Sequence, residues 1–133
     1  MDCIFCKIIN GEIPSYTIFE DDKVKAFLDI NPVSDGHTLI IPKNHFENIY
    51  DIDLDTLKHI EMVSKNLSKI LQEKLGATGI TRMQNNGHGQ DVKHYHMHLI
   101  PRFDDDKLEF SLNRKKILNA EEAFKNLNFN WRK

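Results

Sequence analysis

Five short segments with strand-like patterning and one long apolar stripe of helical period predict an α+β domain built on a mostly antiparallel, five-stranded sheet. Residues 15–20 and 23–28 alternate apolar and polar side chains on either side of Asp21-Asp22, the pattern of a β-hairpin. Residues 37–41 (His-Thr-Leu-Ile-Ile) form a third strand, with Asn31-Pro32 and Asp35-Gly36 punctuating the connection before it and Pro42 closing it. From 54 to 75, Leu54, Leu57, Ile60, Val63, Leu67, Ile70, Leu71 and Leu75 recur at spacings of three and four, the period of one buried helical face. Asp53 suits its N-cap and Gly76 its C-terminal stop. Residues 79–84 and 93–101 supply the last two strands, and the loop Asn85-Asn86-Gly87-His88-Gly89 joins them. After Arg102 the chain turns polar, with Asp104, Asp105 and Asp106 in a row. The reading is therefore a domain over 1–106 and a C-terminal extension over 107–133, partly helical around 119–128. Trp131 in that extension would either pack against a partner subunit or lie free.

A chain of 133 residues can bury a core without disulfide or metal staples. Eighteen Lys and Arg against twenty Asp and Glu argue against a partner such as a nucleic-acid polymer, which is held by many phosphate contacts. They leave room for a small nucleotide, bound by backbone N–H groups and a few side chains. No apolar run approaches the ~20 residues of a membrane span, and Met1 to Cys6 lacks the pattern of a secretory signal. A cytoplasmic location with no membrane association is expected. The two cysteines, Cys3 and Cys6, are then candidates for metal binding or redox chemistry rather than a structural disulfide.

Three histidines at alternate positions, His94, His96 and His98, carry the strongest chemical signal. On a strand their imidazoles project from one face, while Tyr95, Met97 and Leu99 enter a core on the other. Such a row is an incidental polar face, a chelating pair for a metal ion, or a nucleophile flanked by rings that orient it and hold a phosphate. The adjoining loop favours the third reading, because Gly87 and Gly89 permit positive φ and close approach of the backbone to an oxyanion.

His94-Tyr95-His96-Met97-His98-Leu99-Ile100 resembles the signature of the histidine triad family. Ile4 to Ile9, Glu12-Ile13-Pro14, Phe19 to Asp22, Ala26 to Ile30, Ile41 to His45 and Gly89-Gln90 resemble that family's blocks, in its order, over most of the first 102 residues. The likeness is to the nucleotide-binding branch rather than the fragile-histidine-triad branch. It implies a homodimer with a short N-terminal helix before the sheet, binding a purine nucleotide such as AMP or GMP. The middle histidine of the family attacks the α-phosphorus, so the resemblance implies that His96 is the nucleophile, with His98 on the phosphate and leaving group and His94 in support. A related transferase branch carries Gln at the third position, so His98 implies hydrolysis. By the same matching Asp29 would bind the ribose hydroxyls, Phe5, Ile8, Phe27 and Ile30 would line the base pocket, and Gln90 would hydrogen-bond the α-phosphate. Two departures stand out. The 85–90 loop is shorter than usual, leaving open whether Asn85, Asn86 or neither faces phosphate, and position 91 is Asp where some relatives place a hydroxyl. A carboxylate aimed at phosphate repels it, so Asp91 is expected to face solvent or backbone only.

Cys3-x-x-Cys6 alone fits redox chemistry, zinc or neither; bacterial members of the family with this pair hold zinc with two histidines. The resemblance thus implies a structural Zn2+ on Cys3, Cys6, His45 and His94, closed to water by four protein ligands. The function expected is hydrolysis of purine nucleoside phosphoramidates or adenylylated substrates through a nucleotidyl-histidine. The alternatives are hydrolysis of dinucleoside polyphosphates, and a nucleotide-binding regulator with vestigial turnover. His37, His59 and His88 receive no role.

Overall fold

The computed structural model describes residues 3–128. Trp131 lies outside them. A short helix α1 (Ile4–Ile9) opens the chain, followed by β1 (Thr17–Glu20), β2 (Val24–Leu28), β3 (Thr38–Pro42), the 22-residue helix α2 (Leu54–Leu75), β4 (Gly79–Met83), β5 (Met97–Arg102) and α3 (Ala120–Leu127). The five strands form one antiparallel sheet in the order β1-β2-β3-β5-β4. The α+β class, the five strands and the long helix all stand as expected.

The two-residue period of the central strands divides the core. Val24, Ala26, Ile40, Met97 and Leu99 point to one face and pack under α2 with Ile60, Val63, Leu67 and Leu71. Phe27, Leu39 and Ile41 point to the other and pack under α1 with Cys3, Phe5 and Ile8. Alternation along β2 and β3 thus builds two apolar layers, and the second of them is the floor of the site.

Asp53 caps α2 by accepting the Thr56 N–H, and Gly76 closes it in the left-handed conformation. The buried stripe is narrower than its sequence period suggests: Leu54, Ile70 and Leu75 are exposed. The 3.6-residue turn rotates these positions off the line through Ile60, Val63, Leu67 and Leu71, where the sheet lies. A second correction concerns the fifth strand, which starts at Met97 rather than 93. Ile40 pairs with Met97, so continuing the register would set Pro42 opposite Tyr95. Proline has no N–H with which to extend the ladder. The Tyr95 N–H bonds instead to the Phe46 carbonyl at 2.7 Å. His94 and His96 therefore sit on the irregular segment that leads into β5 and only His98 on the strand proper. Beyond Arg102, residues 107–119 have no helix or strand, and α3 buries none of its residues.

Candidate functional site

The three triad imidazoles are all buried, and the fixed donors and acceptors around them define which nitrogen of each carries the proton. His96 Nδ1 lies 2.7 Å from the His94 carbonyl, which can only accept. Nδ1 is therefore protonated, and in the neutral ring Nε2 carries the lone pair. His37 Nδ1 accepts the Val33 N–H at 3.2 Å, so its proton is on Nε2, 2.9 Å from His98 Nδ1. His98 accepts that proton's hydrogen bond and presents its own N–H from Nε2. A nucleophilic nitrogen and a donor thus stand side by side, on rings 4.9 Å apart. Burial pushes His98 down to about 4, helped by His96 and His37, so at neutral pH it is a neutral donor. Burial also lowers His37, against the pull of Asp29.

His37, to which the sequence assigned no role, stands directly behind His98. It precedes β3 directly after Gly36, whose φ of +79° is in the left-handed region and whose added Cβ would come 2.3 Å from a Leu75 methyl carbon. Gly36 is therefore the residue that brings His37 under the sheet. The signal available was Asp35-Gly36 followed by a histidine at the mouth of a strand that is apolar from Leu39 to Pro42. His59 also has a partner: its Nε2 is 2.6 Å from Asp21 Oδ2, tying α2 to the β1–β2 turn. His88 is exposed.

His96 and His98, but not His94, border a cavity of about 230 Å3 whose apolar wall includes Phe5, Ile8, Phe27 and Leu39 and whose polar lining includes Asp29 and Asp91. Phe5 packs edge-on against His96 at 5.1 Å. Ile30 borders the same cavity but is 77% exposed, a rim residue rather than a buried wall. Asp29 caps its own turn by accepting the Asn31 N–H, and its other oxygen is 3.7 Å from His37 Nε2.

Three expectations change here. Gln90 is buried and does not border the cavity. Its amide donates to the carbonyls of Glu47 (2.6 Å) and Val92 (2.9 Å), and its oxygen accepts the Gly87 N–H. With both amide hydrogens engaged, Gln90 braces the 85–90 loop instead of offering a donor to phosphate. In that loop Asn86 is a second brace, accepting the Ile49 N–H and exchanging bonds with Gln84. Asn85 contributes only its backbone carbonyl to these bonds and does not border the cavity. Gly87 and Gly89 both adopt positive φ, as the loop requires. Asp91 does not merely face solvent or backbone. Its Oδ1 accepts the Val92 N–H and also lies 3.4 Å from His96 Nε2, which it would pair with only if that nitrogen carried a proton.

On the other side of His94 a second cluster forms. His94 Nε2 lies 2.9 Å from the Pro42 carbonyl, so its proton is there and Nδ1 is unprotonated. That lone pair faces Cys3 Sγ at 3.4 Å, Cys6 Sγ at 3.7 Å and His45 Nδ1 at 3.1 Å. His45 Nδ1 is itself 3.4 Å from Cys6 Sγ. Two sulfurs and two imidazole nitrogens converging within 4.8 Å are the donor set and spacing of a tetrahedral zinc site. Without a cation, burial and Cys3 push the Cys6 thiol up to about 11, and a bound dication would reverse that. Asp29, His37 and His98 are also close enough to share an ion. They do not fit one, because the Val33 N–H occupies His37 Nδ1 and leaves the proton on the nitrogen that would have to bind.

Among the described residues, no Lys or Arg borders the cleft. Lys43 pairs with Glu20 at 2.7 Å. Arg102 is held by Asp106, on a separate groove of about 500 Å3 that contains no histidine.

A fold with an α-helix on each face of this sheet and a histidine row at its centre defines the HIT-domain class, and the HIT domain model matches residues 10–105. The chain belongs to the HIT family. It is 47% identical over 131 residues to a HIT-like protein of Borreliella burgdorferi, covering 95% of this chain and 93% of the relative. It is 46% identical over 109 residues to adenosine 5′-monophosphoramidase HNT1 of Candida albicans, covering 77% and 72%. A zinc-bound histidine triad family protein of Mycobacterium smegmatis superposes with a TM-score of 0.78 at 34% identity, covering 94% of this chain and 89% of that one.

Proposed function

We propose that the protein hydrolyses purine nucleoside phosphoramidates, or chemically related adenylylated compounds, through a nucleotide bound covalently to His96. One observation carries this reading: the free Nε2 lone pair of His96, fixed by the Nδ1–H bond to the His94 carbonyl, stands at the cavity's polar end beside the His98 Nε2–H. The base of AMP or GMP lies against Phe5, Ile8 and Phe27, and Asp29 accepts from the ribose hydroxyls. His96 Nε2 then attacks the α-phosphorus, the P–N bond breaks and the amine leaves protonated from solvent. Water cleaves the phosphorus–histidine bond in a second displacement and frees the imidazole. Throughout, His98 donates to the phosphoryl oxygen that gains charge, and being neutral it costs no desolvation of an imidazolium. The Candida relative's phosphoramidase name supports the same chemistry.

A dinucleoside polyphosphate is a poorer fit, since its extra charges meet no Lys or Arg among the described residues that line the cleft. Cys3, Cys6, His45 and His94 would hold a structural Zn2+, which supplies a crosslink between the N-terminal segment and the triad and takes no part in the reaction. The homodimer fits the exposed apolar residues Met62 and Ile70 on α2 and Phe110 and Leu112 in the extension. Reduced, metal-ready cysteines suit the cytoplasm, and no helix among the described residues is long and apolar enough to cross a membrane. The test is to mix the protein with adenosine 5′-phosphoramidate, quench within a turnover and map the labelled residue by mass spectrometry. AMP on His96, and loss of turnover with retained AMP binding in His96→Ala, is the expected result. A label elsewhere, or more than a few per cent of activity in the variant, refutes the assignment. A regulator with vestigial turnover would keep its biological effect in the same variant.

A further inference from the structure

The acidic residue beside the nucleophile has no part in the reaction described above. Asp91 Oδ1 lies 3.4 Å from His96 Nε2, the atom that must meet phosphorus, and the side chain borders the cleft together with the second carboxylate, Asp29. Among the described residues, no Lys or Arg borders that cleft to offset them. The Val92 N–H holds Oδ1 in place, so the charge is positioned rather than swinging free. At the near-attack separation of ~3–3.5 Å between Nε2 and phosphorus, the carboxylate oxygen lies no more than roughly 7 Å from phosphorus.

We propose that Asp91 is a charge filter at the phosphorus site: it favours nucleotides whose α-phosphate bears one negative charge and disfavours the dianionic nucleoside monophosphate that hydrolysis leaves behind. This rests on the nucleotide-hydrolase reading and specifies its substrate class. A phosphoramidate or a phosphate diester carries a single charge on that phosphorus, whereas a free monophosphate above its second pKa of ~6 carries two. The carboxylate therefore weakens product more than substrate, and product departs more readily. Because Asp91 is 79% exposed, water screens the repulsion, which keeps the effect at roughly three- to tenfold in affinity per added charge.

The test is isothermal titration of the full chain at pH 8 with three ligands sharing one nucleoside: AMP (two charges), adenosine 5′-methylphosphonate (one charge, no leaving group) and adenosine (none). In Asp91→Asn, AMP affinity should rise three- to tenfold more than methylphosphonate affinity, with adenosine unchanged. Asp91→Glu should keep the wild-type ratio of AMP to methylphosphonate. An unchanged ratio in Asp91→Asn overturns the proposal, and so does an equal shift for adenosine, which would mean that the side chain shapes the pocket rather than its charge. If the wild type binds none of the three at millimolar concentration, the nucleotide reading falls with it; binding and turnover with an unaltered ratio remove the charge filter alone.

Discussion

Replacing His37 by Ala removes the donor to His98 Nδ1, a bond of 2.9 Å between two buried rings. Two consequences follow, and they separate experimentally. A buried acceptor without its partner costs about 1–3 kcal/mol of stability. The loss of packing beside Gly36 adds to this, since a vacated imidazole leaves a small cavity. Independently, His98 becomes free to protonate Nδ1 and turn a lone pair toward the phosphoryl oxygen. Removal of a partner that fixes an imidazole's tautomer characteristically costs about 10–100-fold in function. His37→Ala should therefore lower the turnover of adenosine 5′-phosphoramidate about 10–100-fold, followed as conversion to AMP by 31P NMR, at a temperature where unfolding curves show the variant folded. His37→Gln places an amide N–H near the position of the imidazole Nε2 and should recover activity to within about fivefold. Nitrogen-15 shifts of the ring should show His98 protonated at Nε2 in the wild type and mixed in His37→Ala. If folded His37→Ala keeps full turnover, or if Gln rescues no better than Ala, the orienting role is wrong.

Cys3→Ser should release bound zinc, read as metal per chain after dialysis, and lower the melting temperature; unchanged zinc content would reject the four-residue ligand set. Asp29→Ala should weaken AMP more than 2′-deoxy-AMP, and equal losses would contradict contact with the ribose. For pH, the sign follows from His98, whose folded value of about 4 lies below the ordinary 6.5. The unfolded chain binds a proton there that the native state refuses, so the stabilisation is whole above pH 6.5 and drains away as pH falls toward 4. The full depression corresponds to about 3 kcal/mol at 1.36 kcal/mol per pH unit, of which about 2 kcal/mol is lost by pH 5. Urea unfolding of the metal-free protein at pH 7.5 and pH 5 should show the wild type losing about 2 kcal/mol more than His98→Gln; equal losses would mean that His98 is not held neutral.

The sequence by itself determined the sheet, the long helix and the histidine row, because these depend on local periodicity: alternation along Val24–Leu28 and Thr38–Pro42 fills two layers whatever the rest of the chain does. Likeness to the HIT family brought Cys3, Cys6, His45 and His94 together in advance, although they come from three distant parts of the chain. The limits of the buried stripe on α2 were hidden, since an exposed Leu and a buried one look alike until the sheet's position is known. The same holds for Pro42, whose missing N–H ends the β3–β5 ladder only because Tyr95 falls opposite it. Side-chain direction was the part that tertiary structure alone decided. Gln90 turned into its own loop because the Glu47 and Val92 carbonyls were there to accept it. Asp91 came to rest beside His96, and His37 reached His98 across 61 residues of chain. A tautomer belongs to no residue in isolation: it is set by whichever fixed donor or carbonyl the fold brings to the other nitrogen of the ring.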